Sequence, residues 1–133
     1  MRFLSLILLC CSTAPAFSAL PFDPELARLS HALEISRSQS DLNVASGHLA
    51  DYWDRRLLAV EQQIVAQLNP ADRKKFTKVQ AEWRRFRSSE VAFGASFFAG
   101  GSIQPLMANS RYALLTEHRV TELAALIIDA PSN

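Results

Sequence analysis

The chain has 133 residues, of which 49% are hydrophobic and 20% are charged, and its formal net charge at pH 7 is +1. A chain of this length can form one compact domain with a modest core. Its near-neutral charge provides no overall field that would attract nucleic acid or an anionic membrane. Any electrostatic preference for a partner must therefore be local.

The N-terminal end has the order of regions found in a secretory signal peptide. Arg2 supplies a positive charge, residues 3–11 form an almost unbroken apolar run, and residues 12–19 are small and turn-prone. The apolar run is too short to span a bilayer. The pattern predicts a signal peptide over residues 1–18 and a bacterial protein that is periplasmic or secreted.

The cleavage site sets the start of the mature chain. Cleavage after Ser18 fits best because Ala16 and Ser18 fill the small-residue positions, and cleavage after Ala16 is the close alternative. A lipoprotein signal at Cys10 or Cys11 is disfavoured because bulky Leu9 precedes Cys10, where a small residue is expected. Residues 19–133 are then expected to form a single domain without a second apolar segment long enough for a membrane span.

Cysteine chemistry is excluded from the mature chain. Cys10 and Cys11 are the two cysteines, and both lie in the predicted signal. Small exported domains commonly contain disulfides, but none can form here, and thiol catalysis and thiolate metal sites are excluded as well. Apolar packing must stabilise the domain. Removing Arg2 with the signal leaves 13 basic against 13 acidic side chains.

Capping residues and apolar spacing predict the first two helices. Asp23 followed by Pro24 is a good N-cap with proline at the first helical position, which predicts a helix from Glu25 to about Arg37. A longer helix follows, because apolar residues recur at steps of three and four. Its apolar stripe comprises Leu42, Ala45, Leu49, Trp53, Leu57, Val60, Ile64 and Leu68. Its opposite, solvated face is predicted to carry Asp51, Asp54, Arg55, Glu61 and Gln62.

A third helix is predicted to begin at Pro70, with Asn69 as its N-cap. The same spacing of three and four continues through four aromatic or branched residues, which are expected to face the core. These residues are Phe76, Val79, Trp83 and Phe86.

The last helix is expected to follow a tight turn at Gly100-Gly101-Ser102, with Ser102 as its N-cap and Pro105 in its first turn. Pro131 is expected to end it. Its predicted apolar face comprises Ile103, Leu106, Met107, Leu114, Val120, Leu123 and Ile127. The whole pattern predicts an all-α fold, a compact antiparallel bundle of three to four helices.

No motif predicts catalysis, a metal site or a cofactor. Glu122 follows His118 by four residues, but HExxH is absent and no second histidine has ligand spacing, so a surface pair is favoured. Asp51, Asp54 and Glu61 are interpreted as solvated charges rather than acid–base groups. Neither a GxSxG elbow nor a Walker phosphate loop occurs. The protein is therefore expected not to be an enzyme.

The predicted third helix is rich in basic residues. An anion-binding face for a cell-envelope glycan or lipid is one interpretation, and its residues would be Lys75, Lys78, Arg84 and Arg85. A solvated helix face is the favoured interpretation, because runs of charge usually serve solubility. Nucleic acid is not an expected partner of an exported, neutral protein. Arg87, Glu90 and Arg119 border the apolar stripes and are expected to pair across the turn and hold the helices in register.

Three motifs follow one another in the second half of the chain and read QxxWxxFRxxE, GGSI-P and LTxxRxxEL. Together they resemble the small secreted bacterial domain of the LprI-type lysozyme inhibitors. Whether these positions serve packing or binding stays open. Their residues include Gln80, Trp83, Arg87, Glu90, Gly100, Gly101, Ser102, Thr116 and Arg119.

The resemblance implies a non-enzymatic inhibitor that acts by protein–protein contact on lysozyme or another envelope protein. The family typically has two cysteines that this chain replaces, the first by Val91 and the second by Arg111 or a neighbour. Animal-type lysozymes are cationic, so an inhibitor is expected to present an acidic surface. The candidate acidic surface is Asp51, Asp54 and Glu61, whereas the third helix is basic.

Overall fold

The computed structural model describes residues 23–129 and contains four helices in that part of the chain, which confirms the predicted all-α bundle. The helices are α1 (Pro24–Ile35), α2 (Gln39–Gln67), α3 (Pro70–Ser96) and α4 (Gln104–Asp129). The predicted signal peptide and the proposed stop at Pro131 lie outside the described residues.

The predicted N-caps of α1 and α3 are confirmed. The Asp23 carboxylate accepts hydrogen bonds from the backbone N–H groups of Glu25 and Leu26, at 2.9 and 3.2 Å. The side-chain oxygen of Asn69 accepts from the N–H of Asp72 at 3.0 Å. In each helix a proline follows the cap, where its missing N–H removes no intrahelical bond.

Short connections fold the helices back on one another, so consecutive helices are antiparallel. Residues 36–38 join α1 to α2, residues 68–69 join α2 to α3, and residues 97–103 join α3 to α4. Helix α4 packs against both α2 and α3, while α1 packs against α2. Helices α2 and α4 therefore form the central pair of the bundle, with α1 packed on α2 and α3 packed on α4.

The core lies mainly between α2 and α4, with Leu29 contributed by α1. Most of the predicted α2 stripe is confirmed, and its most buried members are Trp53 and Leu57, at 2% and 1% exposed. Val120 and Leu123 of α4 are similarly buried. The largest part of the apolar stabilisation therefore comes from this interface.

The expectation for α3 was wrong at two of its four positions. Val79 and Phe86 are 49% and 53% exposed, whereas Gln80 and Arg87 are buried at 3% and 6%. Phe76 and Trp83 are partly buried and pack against the core. Gln80 and Arg87 each directly follow one of the two exposed apolar residues, so the polar pair lies about 100° further around the helix than the apolar pair. Helix α4 packs against the face that carries Gln80 and Arg87, and this face is therefore the inner one.

Three further expectations need correction. Glu61 is not solvated but only 9% exposed, because α3 covers it with Gln80. Helix α4 begins at Gln104, and the carbonyl of Ile103 accepts the N–H of Met107, so Ser102 is not its N-cap. Leu114 is 42% exposed; the inward positions beside it are Ala113 and Thr116, at 4% and 0%.

Candidate functional site

A network of polar side chains, buried at its centre and exposed at its ends, joins α2, α3 and α4. We call it the interhelical polar network. Four of its members are residues of the sequence motifs, and two of these, Arg87 and Arg119, were expected to pair between helices. Its members are Asp54, Glu61, Gln80, Arg84, Arg87, Tyr112, Thr116 and Arg119.

Arg87 is the centre of one half of this network. Its Nη1 group donates to Asp54 Oδ1 on α2 at 2.8 Å and to Thr116 Oγ1 on α4 at 2.9 Å. The Tyr112 hydroxyl donates to the other Asp54 oxygen at 2.6 Å. Within the described residues, Arg87 Nε is buried without a hydrogen-bond partner. The Arg87 guanidinium thus links α3 to both α2 and α4.

Gln80 is the centre of the other half. Its amide nitrogen donates to Glu61 on α2, and its carbonyl oxygen accepts from the Arg119 guanidinium on α4. Arg84 pairs with the second Glu61 oxygen at 2.7 Å. Because Gln80 uses its donor and its acceptor toward different helices, a residue with only one of the two functions would leave one neighbour unsatisfied.

The ring of Trp83 lies close to both arginines. The Arg87 guanidinium carbon is 4.9 Å from its centroid and that of Arg119 is 5.7 Å away. Arg87 also lies 3.9 Å from the Tyr112 centroid. Cations over aromatic faces are attracted by the ring quadrupole, which helps to hold the buried Arg87 charge.

The expected pairing across the α3–α4 turn is present, although the partners are not all those anticipated. Glu90 accepts from Arg111 at 2.6 Å, and the Arg87 and Arg119 contacts also cross between α3 and α4. The Glu90–Arg111 ion pair joins α3, next to Val91, to α4.

The turn itself shows why two glycines occur together. Gly100 has φ = 77°, in the left-handed region that side chains disfavour. A Cβ on Gly101 would approach the carbonyl oxygen of Phe98 to 3.2 Å. The Ser102 carbonyl accepts from the side-chain amide of Asn43 on α2 at 3.0 Å. Ser102 thus anchors the turn to α2 through its backbone instead of capping α4.

Two tyrosines are held in their protonated form. Burial, followed by the hydrogen bond to Asp54, raises the pKa of Tyr112 to about 12. Burial and the 2.6 Å bond to Asp23 likewise raise the pKa of Tyr52 to about 12. The bond from Tyr52 also lowers the pKa of the Asp23 carboxyl, which caps α1. Both hydroxyls therefore act as structural donors at neutral pH.

Three cations of the proposed anion-binding face are paired with carboxylates. Lys75 contacts Asp72 at 2.8 Å, Lys78 contacts Glu82 at 3.9 Å, and Arg84 contacts Glu61 at 2.7 Å. Within residues 23–127, Arg85 has no carboxylate within 4.0 Å. The pairing leaves this face with much less net positive charge than its basic residues indicate.

The structure also reveals an exposed apolar feature that the sequence interpretation missed. Phe93 and Phe97 are 63% and 72% exposed, form an edge-to-face pair with centroids 5.1 Å apart, and lie beside the α3–α4 turn. Ile103, on the same turn, is 37% exposed. We call Phe93, Phe97 and Ile103 the apolar tip. The sequence does contain a signal for this exposed apolar surface, because residues 91–110 contain no charged side chain and no histidine.

The described part of the chain brings together no arrangement that indicates catalysis. Within residues 23–129, no group of three or more histidine, cysteine, aspartate or glutamate side chains could hold a metal ion. In the same range, no helix has the length and apolar character needed to cross a bilayer. The fold and the site define a small all-α domain with a buried polar network and an exposed apolar end.

Comparison with known proteins identifies the family. The family model described as Lysozyme inhibitor LprI matches residues 32–123, which is more than half of the chain. The chain therefore belongs to the LprI lysozyme inhibitor family. Neither the proteins of curated function nor the solved structures include a significant match.

Proposed function

We propose that this protein is exported and inhibits a lysozyme by direct protein–protein contact, without catalytic activity of its own. The observation that carries the proposal is the family match over residues 32–123. The signal-like order of residues 1–18 supports export, because a lysozyme inhibitor must meet its target outside the cytoplasm.

The positions of the motif residues support this interpretation in a particular way. Gln80, Arg87 and Thr116 are buried, and their polar atoms contact other helices of the same chain. Buried polar groups of this kind favour one helix arrangement over others. Such contacts fit a role in maintaining the shape of the domain, with inhibition carried by exposed residues elsewhere.

The sequence places a basic third helix on a protein that is proposed to bind a cationic enzyme, and the ion pairs of the structure reduce this conflict of charge. Asp54 and Glu61 are engaged by Arg87 and Arg84, so they do not form a free acidic face for a cationic enzyme. Four of the seven basic residues of α3 are also paired with carboxylates, namely Lys75, Lys78, Arg84 and Arg87. Electrostatic repulsion from a cationic lysozyme is then reduced, and shape and apolar contact become the main source of affinity.

Lysis of a peptidoglycan suspension tests the proposal. The mature protein, titrated against a fixed concentration of enzyme, is expected to slow the decrease in turbidity near a one-to-one ratio. A panel of lysozymes of different types is needed because the target type is not specified by the family. If no lysozyme is slowed at tenfold molar excess, the proposal is wrong. Release of soluble fragments by the protein alone would instead indicate an enzyme.

The alternative is an envelope-binding module that uses Lys75, Lys78, Arg84 and Arg85 to bind an anionic glycan or lipid. It is less well supported because three of these cations already have carboxylate partners. Binding to an anionic polymer that weakens with salt, and in an Arg84→Glu/Arg85→Glu variant, would favour it.

A further inference from the structure

We infer that the apolar tip is the surface that contacts lysozyme, and that it enters the substrate cleft of the enzyme. This inference rests on the proposed function and assigns the contact surface that the function requires. It starts from the exposure of Phe93 and Phe97, the two most exposed large hydrophobic residues of the described chain.

The first step is that the tip has the composition of an interface centre. Residues 91–110 are free of charge, and the Glu90–Arg111 ion pair lies at the boundary of this segment. Protein interfaces commonly have a core enriched in aromatic residues and depleted of charge, with polar residues at the rim. Exposed phenylalanine side chains that fill a pocket on a partner are typical anchors of binding energy.

The second step is that the structure holds the tip in place. Asn43 donates to the Ser102 carbonyl at 3.0 Å, and Asn109 donates to the Asn43 carbonyl at 3.2 Å and to Ser46 Oγ at 3.1 Å. The Gln104 side chain accepts the N–H of Gly100 at 3.3 Å. A turn fastened to two helices loses little conformational freedom when it binds, which favours affinity.

The third step concerns charge. Lys78 and Lys75 precede Phe93 by 15 and 18 residues of one helix, so they lie about 22–27 Å from it along the axis at about 1.5 Å per residue. The Debye length at physiological salt is about 8 Å. Arg85 precedes Phe93 by eight residues and lies about 12 Å from it along the axis, also more than one Debye length away. An enzyme that docks on the tip is therefore well screened from the two lysines and partly screened from Arg85. Docking of a cationic lysozyme along the middle of α3 would bring it nearer to these lysines.

The fourth step selects the kind of partner. Self-association through the three side chains of the tip would bury on the order of a few hundred Å² per chain, since an aromatic side chain buries about 150–250 Å², and a standard interface buries about 800 Å² per partner. A neutral tip also lacks the basic patch that stable membrane anchoring needs beside apolar groups. A concave partner surface can enclose the tip and contact its flanks as well. In a lysozyme, the glycan-binding cleft is such a surface.

A pair of matched variants tests the inference. Phe93→Ser/Phe97→Ser removes the tip aromatics, whereas Val79→Ser removes a hydrophobic side chain that is 49% exposed on the same helix, about four turns away and outside the three motifs. We expect the first variant to inhibit at least about tenfold more weakly than the wild type and the second to inhibit within twofold of it. With a soluble chromogenic chito-oligosaccharide, the wild type is expected to raise KM and leave kcat unchanged.

The wild-type and variant results separate the two proposals. If the wild type inhibits no lysozyme, the proposed function and the tip assignment are both wrong. If the wild type and the tip variant inhibit equally, only the tip assignment is wrong. A lower kcat with unchanged KM would place contact outside the cleft and overturn the inference. Tip-dependent self-association or binding to neutral phosphatidylcholine vesicles, without tip-dependent inhibition, would assign the tip to those partners instead.

Thermal unfolding of each variant checks that it is folded. If the double variant does not fold, the single Phe97→Ser substitution provides the same comparison, since Phe97 is 72% exposed and lies at the end of α3. Inhibition by this folded variant equal to that of the wild type would equally overturn the inference.

Discussion

The Asp54–Arg87 pair predicts that removing the exposed partner is more damaging than removing the buried one. The Arg87 side chain is 7% exposed and that of Asp54 is 47% exposed. Asp54→Ala leaves a buried guanidinium without its counter-ion and also removes the acceptor of the Tyr112 hydroxyl. Arg87→Met instead leaves a half-exposed carboxylate that water and Tyr112 can solvate.

The magnitudes follow from that difference in burial. Breaking a buried pair so that a charge stays uncompensated costs about 3–5 kcal/mol. Asp54→Ala is expected to lower the free energy of unfolding by about 3 kcal/mol, at the low end of this range, because Arg87 keeps its bond to Thr116 and its contacts with two aromatic rings. Arg87→Met loses these contacts but also removes the unpartnered Nε and the burial of a charge, so we expect a loss of about 1 kcal/mol.

Urea unfolding of the mature protein, followed by circular dichroism, measures both values. With slopes of about 1–3 kcal/mol per M for small proteins, Asp54→Ala is expected to lower the midpoint by about 1 M or more. Asp51→Ala is the matched control, an exposed aspartate on the same helix, and is expected to change stability by less than about 0.5 kcal/mol. If Arg87→Met is the more destabilising change, the burial argument is refuted.

Two further predictions concern the turn and alkaline pH. Gly100→Ala is expected to destabilise the protein by about 1–2 kcal/mol because of its positive φ, whereas Gly94→Ala, with open space around its Cβ, is expected to stabilise α3 by about 0.5–1 kcal/mol. Equal shifts in urea midpoint for both would contradict this. Because the folded-state pKa values of Tyr52 and Tyr112 are raised from 10.0 to about 12, the stability they contribute is present below pH 10 and lost as the pH rises toward 12. Thermal midpoints between pH 9 and 11.5 should fall less in a Tyr52→Phe/Tyr112→Phe variant, and an unchanged fall would refute their role.

Helix positions could be predicted from the sequence because their signals are local. The cap at Asn69, the proline after it and the apolar spacing of α2 each involve residues a few positions apart. The α1 helix ends two residues before the predicted Arg37, within the ordinary variation of helix ends. The same locality explains why the family motifs can be found in the sequence before their contacts are known.

The inner face of α3 could not be predicted in the same way. Two pairs compete for the inner face, and both are seven residues apart: the apolar pair Val79 and Phe86, and the polar pair Gln80 and Arg87, which is offset from it by one residue. Hydrophobicity favours burying the first pair, but the structure buries the second. The reason is that Asp54, Glu61, Thr116 and Arg119 on other helices supply partners for the polar pair, and those partners come from segments distant in sequence.

The sequence by itself determined that the chain forms helices, where α1 and α3 begin, which face of α2 is buried, and to which family the protein belongs, because periodicity, capping and motif spacing are local properties. Only the tertiary structure decided which face of α3 is buried and which side chains near the α3–α4 turn stay exposed. It placed Gln80 and Arg87 inside, where their hydrogen bonds cross between helices, and left Phe93 and Phe97 outside. The physical reason is that burial depends on what the neighbouring helices offer to each side chain, and only their packing brings these groups together.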